Sequence, residues 1–336
     1  MKQALFQQQK ADRKVLCGLC SHRCLIPDGK RGICAVRENR AGTLYTLVYD
    51  KVIARNIDPI EKKPLFHFLP GSRSFSIATP GCNFRCLHCQ NSDISQLPRD
   101  RGGILAGEDI PPSSIVSDAR THHCASISYT YTEPTIYFEL ALDTARLAAE
   151  AGIRNVFVSN GYITPEALET ISPVLHAANI DLKGFSEDFY RKICASRLQP
   201  VLDAIRLYKK LGIWIEITTL IIPGLNDTDA ELRQIAEFIK SVGDAIPWHV
   251  SRFHPTYKLQ DQPMTPVETL QRARRIGIET GLRYVYEGNV PGNGEDTACW
   301  SCKKTIIRRI GFSIRENVLQ DGKCGYCGAV IDGVWK

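Results

Sequence analysis

The chain has 336 residues, of which 43% are hydrophobic and 23% are charged, and its formal net charge at pH 7 is +6. This length fits one large domain with small additions. No apolar run approaches the roughly 18 residues that a membrane-spanning helix needs, which excludes an integral membrane protein. The N-terminal residues lack the apolar core of a signal peptide, so we expect a cytoplasmic protein without membrane partners. The basic residues are scattered, which indicates a solvated surface rather than a nucleic-acid site.

The chain contains 13 cysteines, and all but Cys124 and Cys194 fall into three tight groups. In a reducing compartment, clustered cysteines indicate bound metal more often than disulfides. The sequence therefore predicts three metal sites. The first group is Cys17, Cys20, Cys24 and Cys34, the second is Cys82, Cys86 and Cys89, and the third is Cys299, Cys302, Cys324 and Cys327.

The first group lies in an N-terminal segment, residues 1–40, which is too short to form a hydrophobic core of its own. Four thiolates suit either Zn²⁺ or a [4Fe–4S] cluster, and their spacing separates the two poorly. We favour Zn²⁺ at this site and keep a second Fe–S cluster as the alternative. His22 is an alternative ligand for one of the cysteines.

From about residue 74 to residue 290, short β-type runs alternate with runs of helical period. This alternation predicts a parallel sheet with right-handed crossovers. About six such units fit an α/β fold of the partial (β/α)₆ TIM-like barrel type, with a doubly wound sheet as the alternative, and in both folds the functional residues belong at the C-terminal ends of the strands. We assign the barrel to residues 41–296. Its predicted strands are 74–79, 126–131, 155–160, 178–183, 214–222, 248–253 and 284–288.

The second cysteine group directly follows the first of these strands, with the spacing Cys82-x3-Cys86-x2-Cys89. A structural zinc site uses four ligands, whereas this loop offers three thiolates. Three thiolates hold three corners of a [4Fe–4S] cubane and leave the fourth iron without a protein ligand. The motif therefore predicts a catalytic cluster. The alternative is a zinc loop in which His88 is the fourth ligand.

The third group lies in a C-terminal segment, residues 297–336, as two Cys-x2-Cys pairs. Two such pairs with about this separation are typical of a zinc ribbon. Bound Zn²⁺ would supply about 10 kcal/mol or more of folding free energy, which so short a segment cannot obtain from a core. The alternative is a rubredoxin-type iron or a further Fe–S cluster.

A CxxxCxxC motif after the first strand of a partial barrel resembles the signature of the radical S-adenosylmethionine (SAM) superfamily. The resemblance implies an enzyme in which SAM binds the open iron and is cleaved reductively to methionine and a 5′-deoxyadenosyl radical, which abstracts hydrogen from a substrate. It further implies that His88 packs against the adenine, and that ferredoxin or flavodoxin is the reductant.

Glu133, in the segment YTYTEPT, resembles the carboxylate of the GGEP motif in this superfamily, which receives the SAM ammonium group. The chain departs from that motif because Tyr131 and Thr132 replace its two glycines. This departure weakens the expectation of backbone contacts to SAM. It leaves the role of the carboxylate intact, since a buried carboxylate favours a cationic partner.

Five further residues follow predicted strands and resemble SAM contacts of the pyruvate formate-lyase activase subgroup or of the wider superfamily. Ser159 and Asn160 are expected near the methionyl part of SAM. Asp181 and Lys183 resemble the DLK motif, which contacts SAM and a monovalent cation. His254, in the segment RFHP, resembles a histidine on the ribose side.

Over nearly the whole chain, the order of the segments resembles the AmmeMemoRadiSam-system radical SAM proteins. This resemblance implies Memo-type and AMMECR-type partner proteins, and it leaves the substrate open. The segments that carry it are CGLCSHRC, GKRGICAVREN, NIDPIEKKPLFHFLPGS, TPGCNFRCLHCQN, YTYTEPT, HVSRFHPTY and the C-terminal ribbon.

Two other functions remain as hypotheses. The first is a glycyl-radical-enzyme activase, which would install a radical on a glycine of a large partner enzyme. The second is a non-enzymatic zinc-ribbon protein that binds nucleic acid, for which the C-terminal segment offers only a modest basic run of Lys303, Lys304, Arg308 and Arg309. Binding of that kind would depend steeply on salt concentration.

Overall fold

An eight-stranded sheet forms the centre of the protein, as described by a computed structural model for residues 1–290, 292 and 294–336. Seven strands run parallel in chain order, and one strand pairs antiparallel with the first of them. The strands are β1 (Ala54–Pro59), β2 (Arg73–Ala78), β3 (Ser126–Tyr129), β4 (Arg154–Ser159), β5 (Ala177–Asp181), β6 (Trp214–Ile221), β7 (Trp248–Arg252) and β8 (Val285–Gly288).

Helices connect the successive parallel strands, because a parallel neighbour can be reached only by a crossover. No helix among the described residues is both long enough and apolar enough to cross a membrane. The longer helices are α1 (Pro112–Thr121), α2 (Phe138–Glu150), α3 (Pro165–Ile171), α4 (Gln199–Lys210), α5 (Asp229–Val242) and α6 (Val267–Thr280). Shorter helical segments are Ile60–Lys62, Ser92–Ser95, Leu97–Asp100, Pro134–Tyr137, Ser172–Val174, Glu187–Phe189 and Tyr190–Cys194.

The sheet confirms the predicted fold class, a partial (β/α)₆ TIM-like barrel, and each of the seven predicted strands overlaps an observed one. The strand order is sequential from β2 to β8, whereas a doubly wound sheet requires a reversal of order at a switch point. Within the described residues, β1 and β8 are the two outermost strands and do not pair with each other. The barrel is therefore open on one side.

The N-terminal segment forms two small antiparallel sheets. Its hairpin of Arg37–Arg40 with Thr43–Thr46 crosses residue 40, and the predicted division into 1–40, 41–296 and 297–336 stays a prediction. One sheet has the strand order Lys2–Gln3, Thr43–Thr46, Arg37–Arg40, and the other has the order Gln7–Gln9, Val15–Cys17, Leu25–Ile26; a separate pair joins Lys51–Val52 to Glu108–Asp109.

A buried ion pair joins the N-terminal segment to α2. Arg37 Nη2 lies 2.9 Å from Glu139 Oε1, and the two side chains are only 2% and 1% exposed. A second bond of 3.2 Å from Nη1 to Oε2 makes the pair bidentate. Because both charges are removed from water, each is stable there only while the other is present.

The C-terminal segment folds as antiparallel strands and packs against residues 66–68. Arg309 Nη2 donates a hydrogen bond to the Phe66 carbonyl (2.9 Å), and its guanidinium lies 4.3 Å from the centre of the Phe66 ring. The buried His67 Nδ1 donates to the Asp332 carbonyl (2.6 Å). The strands Thr297–Ala298, Thr305–Ile310 and Ser313–Asn317 form one sheet, and Leu319–Gln320 pairs with Lys323–Cys324.

The substitution Arg37→Met should destabilise the protein by about 3–5 kcal/mol, because it leaves the Glu139 carboxylate buried without its cation. Urea denaturation followed by circular dichroism measures the free energy of unfolding. The control is Arg275→Met, which removes an exposed pair with Glu279 and should cost at most about 1 kcal/mol. Equal losses in the two variants would contradict the importance of the buried pair.

Candidate functional site

A cavity of about 510 Å³ lies where the C-terminal ends of the parallel strands meet. The loops after parallel strands leave the same edge of a sheet, so residues distant in sequence converge there. The cavity wall contains nine of the ten residues that the sequence predicted as catalytic or cofactor-binding. These nine are Cys82, Cys86, His88, Cys89, Glu133, Ser159, Asn160, Asp181 and Lys183.

The loop after β2 carries the three cysteines, and contacts from other parts of the chain hold it in place. Gly81 begins the loop with a φ of +104°, and a Cβ at this position would lie 2.6 Å from Val36. Only glycine meets both conditions at low cost. Arg99 donates hydrogen bonds to the carbonyls of Cys82 (2.5 Å) and Phe84 (2.9 Å). The loop is therefore fixed in the cavity wall although it has no regular secondary structure.

Burial makes free thiolates unfavourable in this loop. It raises the pKa of Cys82 and of Cys89, and the neighbouring Cys194 thiol together with burial raises the pKa of Cys86. A bound metal replaces the thiol proton and compensates the charge of the thiolate. Three buried or half-buried thiols on one cavity wall are therefore suited to holding a metal or a cluster.

The spread of these thiols fits a cubane cluster better than a zinc ion. Zinc, with Zn–S bonds of about 2.3 Å in a tetrahedron, needs sulfur atoms about 3.8 Å apart. Among the described residues, Cys82, Cys86 and Cys89 do not form a set whose ligand atoms all lie within 4.8 Å of one another. In a cubane each thiolate binds a different iron, so the sulfur atoms lie farther apart. The donor set thus fits a [4Fe–4S] cluster with one iron open.

Cys194 is a residue of the site that the sequence did not predict. The ligand atoms of Cys86, His88 and Cys194 lie within 4.8 Å of one another, and all three residues are buried. In the cysteine loop, the Arg85 N–H donates to the Cys194 carbonyl (3.0 Å), and the Leu87 N–H donates to the Ile193 carbonyl (2.9 Å). Because Cys194 is far from the loop in sequence, no local spacing could have indicated it. This trio differs from the zinc alternative predicted from the sequence, in which His88 joins the three loop cysteines, because Cys194 takes the place of Cys82 and Cys89.

Glu133 is a buried carboxylate with neutral hydrogen-bond donors and, among the described residues, no ion-pair partner. Its Oε1 accepts hydrogen bonds from Thr135 Oγ1 (2.6 Å), Thr135 N (3.0 Å) and Ser159 Oγ (2.9 Å), whereas Oε2 accepts one from Asn160 N (2.8 Å). Burial raises the pKa of Glu133, although these donors oppose the effect. Oε2 keeps a free lone pair, and a cationic ligand group would stabilise the charge.

Asn160 and the Asp181–Lys183 pair complete the polar wall. Asn160 Nδ2 donates to Asn83 Oδ1 (2.8 Å), which ties the end of β4 to the cysteine loop. Lys183 Nζ lies 2.7 Å from Asp181 Oδ2. Burial alone would lower the pKa of Lys183, but Asp181 and the nearby thiols Cys86 and Cys194 outweigh it, so the pKa is raised well above its usual value. Lys183 is therefore a permanent cation beside the cysteine loop.

The two predicted histidines differ in their surroundings. Burial, followed by the charge of Lys183, lowers the pKa of His88 to about 3, and no described residue bonds its Nδ1. Its ring centre lies 6.3 Å from that of Phe189. His254, in contrast, is exposed after the end of β7 and does not line the cavity. The structure does not bring His254 into the site, and its ribose contact stays a prediction.

The cavity is also bordered by residues that the sequence motifs did not single out. Lys63 Nζ lies 2.6 Å from Asp58 Oδ2 and 4.5 Å from the centre of the Tyr131 ring. Burial lowers the pKa of Lys63 to about 8, although Asp58 opposes the effect. Phe312, at the tip of a C-terminal hairpin, also lines the cavity and is 48% exposed. The C-terminal segment therefore contributes to the cavity mouth.

The terminal cysteine groups adopt different geometries. In the C-terminal group all four sulfur atoms lie within 4.8 Å of one another, with Cys299–Cys327 at 3.7 Å and Cys302–Cys324 at 3.8 Å. This group could hold a metal ion. Among the described residues, no three of the N-terminal cysteines form so compact a set.

Comparison with known proteins agrees with this geometry. Residues 76–239 match the sequence family described as the radical SAM superfamily. The chain belongs to this superfamily. A protein of Methanocaldococcus jannaschii, named only as uncharacterized, is 48% identical over 99% of this chain and 99% of its own length.

Radical SAM relatives with a named activity are more distant. The pyruvate formate-lyase-activating enzyme of Clostridium pasteurianum is 23% identical over 65% of this chain and 93% of its own length. The crystal structure of a radical SAM methyltransferase from Sphaerobacter thermophilus superposes with a TM-score of 0.51 at 15% identity, covering 66% of this chain and 67% of that one. This likeness shows the shared fold alone. Membership implies a [4Fe–4S] cluster and SAM, and the open three-thiol set fits the cluster.

The substitution Glu133→Gln should weaken SAM binding by about 10- to 100-fold, because it removes a charge-assisted hydrogen bond of roughly 1.5–3 kcal/mol to the ammonium group. Isothermal titration under anaerobic conditions measures the affinity, and the visible absorbance of the cluster checks that the cluster is retained. The control is Glu231→Gln, a carboxylate outside the cavity that accepts from Phe185 N. Equal SAM affinity in wild type and Glu133→Gln would remove Glu133 from the site.

Proposed function

We propose that this radical SAM protein cleaves SAM reductively and uses the 5′-deoxyadenosyl radical to abstract hydrogen from a substrate that partner proteins supply. One observation carries the proposal. Three thiols, a carboxylate without an ion-pair partner among the described residues, and an Asp–Lys pair all line one cavity at the C-terminal ends of the strands. An open cluster and a zwitterionic cofactor require groups of these kinds. Their convergence from separate loops supports a shared binding site.

Different residues of the chain would bind the cluster and SAM. When bound, the cluster supplies the electron that breaks a carbon–sulfur bond of SAM. Cys82, Cys86 and Cys89 would hold it, and Glu133 would accept a hydrogen bond from the SAM ammonium group. His88, whose pKa is lowered to about 3, would offer an uncharged ring to the adenine at pH 7. The buried part of the wall would shield a reactive radical from water.

The polar residues of the cavity wall that we do not assign to SAM binding would favour a polar substrate. Lys63 forms an ion pair with Asp58 and lies over the Tyr131 ring, and Ser251 and Asn289 add neutral donors. A lysine whose pKa is about 8 can donate a hydrogen bond as a cation or, once deprotonated, accept one. We therefore propose a substrate with a polar or anionic group close to the carbon that loses hydrogen.

The proposal of Memo-type and AMMECR-type partners rests on the sequence resemblance, as does the proposal of ferredoxin or flavodoxin as the reductant. A glycyl-radical-enzyme activase is the second candidate function. Relatives named as pyruvate formate-lyase-activating enzymes favour it, although those of Streptococcus mutans and Clostridium pasteurianum are only 22% and 23% identical to this chain. In that case the substrate would be a glycine of the partner, and the partner would carry a stable radical visible by electron paramagnetic resonance (EPR).

We also propose Zn²⁺ for the C-terminal group. Its two short sulfur–sulfur distances, 3.7 and 3.8 Å, match the edge of about 3.8 Å expected for tetrahedral zinc. The Cys302 N–H approaches Cys299 Sγ at 3.5 Å, a hydrogen bond that stabilises a thiolate. The segment buries few apolar side chains of its own, which pack with Phe66, Tyr284 and Tyr286 of the barrel, so a bound metal would add folding free energy that these side chains do not supply.

Anaerobic reconstitution with iron and sulfide, followed by SAM and a strong reductant, should produce 5′-deoxyadenosine, detected by mass spectrometry. Production should be abolished in each of Cys82→Ala, Cys86→Ala and Cys89→Ala, because each removes a ligand of the cluster. The same variants should lose about four iron atoms per chain. Cleavage that survived in Cys86→Ala would overturn the assignment.

Two further cysteine variants separate the cluster from the zinc alternative. Cys194→Ala should keep both iron and SAM cleavage, because a cubane with three loop thiols does not need it. If Cys86, His88 and Cys194 instead form a zinc site, this variant should lose zinc and the wild type should lack iron at the loop. Cys124→Ala is the matched control, a buried lone cysteine away from the cavity.

Removal of a C-terminal ligand by Cys302→Ser should lower the zinc content by about one atom per chain and make residues 297–336 more sensitive to proteolysis. Elemental analysis and limited proteolysis measure the two effects. The SAM-cleaving cluster should keep its iron. Unchanged zinc content in Cys302→Ser would show that this group does not bind zinc.

A further inference from the structure

We propose that Cys17, Cys20, Cys24 and Cys34 bind a second [4Fe–4S] cluster, rather than the zinc ion favoured by sequence spacing, and that this cluster is the entry point for electrons. The binding of the second cluster is independent of the proposed function. Its role as an electron donor rests on that function, because it requires the first cluster at Cys82, Cys86 and Cys89.

The spread of the sulfur atoms is the first argument. The C-terminal group shows how a zinc-sized site looks in this chain, with all four sulfur atoms within 4.8 Å. The N-terminal cysteines lie close together: the Cys17 N–H donates to the Cys24 carbonyl (2.9 Å), and a Cβ on Gly32, two residues before Cys34, would lie 3.7 Å from Cys24 Sγ. Among the described residues, however, no three of their sulfur atoms fall within 4.8 Å of one another. The three cluster cysteines of the barrel share this wider spacing. Four thiolates at the corners of a cubane need such separation, because each binds a different iron.

Burial is the second argument. The four cysteines are buried or half-buried, so a cluster would be shielded from solvent.

Direct contact between the two cysteine loops is the third argument. Arg99 Nη2 donates both to the Ile33 carbonyl, next to Cys34, and to the Cys82 carbonyl, each at 2.5 Å. His22 Nε2 donates to the Asn83 carbonyl at 2.9 Å. The two ligand loops are therefore in direct contact through Arg99 and His22, which would place the two proposed clusters near each other.

Gly81 lies at the contact between the two ligand loops. A Cβ there would lie 3.2 Å from the Cys34 carbonyl and 2.6 Å from Val36. The glycine, which has no side chain, thus lets the two ligand loops touch. A substituent at this position would push them apart.

The redox step is a one-electron transfer. A flavodoxin- or ferredoxin-class reductant gives one electron to the N-terminal cluster, which changes from the 2+ to the 1+ state. The electron then passes to the barrel cluster, which changes from 2+ to 1+ as the first returns to 2+. No bond forms or breaks and no proton moves.

Metal counting in two complementary variants of the full chain tests the site. After anaerobic reconstitution, the wild type should hold about eight iron and eight sulfide per chain, and the triple variant Cys82→Ala/Cys86→Ala/Cys89→Ala should keep about four of each. The reduced triple variant should give the EPR signal of a [4Fe–4S]⁺ cluster. A triple variant without iron would overturn the proposal, whether its N-terminal group held zinc or no metal.

The reciprocal variant Cys20→Ala/Cys24→Ala should lose about four iron and keep its C-terminal zinc, which serves as the control for folding. If the wild type held only about four iron and this variant lost all of them, the barrel loop would be empty in the wild type. The proposed function would then fail while the N-terminal cluster stood. Loss of no iron in this variant would overturn the N-terminal cluster.

The EPR spectrum of the fully reduced wild type tests the electron path. Two reduced clusters in adjacent loops interact magnetically, so the spectrum should be broader than the sum of the spectra of the triple and double variants. A wild-type spectrum equal to that sum would overturn the role in electron transfer. The metal counts would still decide whether the N-terminal cluster exists.

Discussion

The enclosure of the loop after β2 is the constraint on which the site depends. Three thiols can share one cluster only if their backbone is held in a single conformation, and this loop has no helix or strand of its own. Contacts from other parts of the chain determine its conformation. Val36 leaves room only for glycine at position 81, and Arg99 donates hydrogen bonds to the loop carbonyls. The carbonyls of residues 193–194 accept hydrogen bonds from the loop N–H groups. Binding of a cluster is thereby prepared by the packing of three distant segments.

The charged side chains of the cavity wall are compensated in two different ways. Asp181 and Lys183 neutralise each other, so this part of the wall is stable without a ligand. Glu133 has only neutral donors among the described residues, and burial raises its pKa. An ammonium group from a ligand would complete its environment, which links SAM binding to the electrostatics of the free protein. The Asp181–Lys183 pair is therefore preorganised, whereas Glu133 depends on a ligand to compensate its charge.

The two terminal segments each contain four cysteines, but the geometry of these cysteines differs. The C-terminal thiols are compact and belong to a unit that also places Phe312 at the cavity mouth. The N-terminal thiols are more widely spread, and their segment is joined to the barrel by the Arg37–Glu139 pair. Each segment therefore acts on the site: one borders the cavity mouth, and the other supports the cysteine loop.

Short-range spacing along the chain was enough to predict much of the fold and of the site. It gave the three cysteine groups and the seven parallel strands, because local spacing and periodicity decide these features. Glu133, Asn160 and Lys183 were identified by their resemblance to radical SAM motifs, and the direction of parallel strands explains why they meet in one cavity. Three placements came instead from the folded molecule: Cys194 lies beside Cys86, Lys63 enters the cavity and His254 remains outside it. The reason is physical, since contacts between segments distant in the chain arise from packing and loop conformation, which no local pattern of residues specifies.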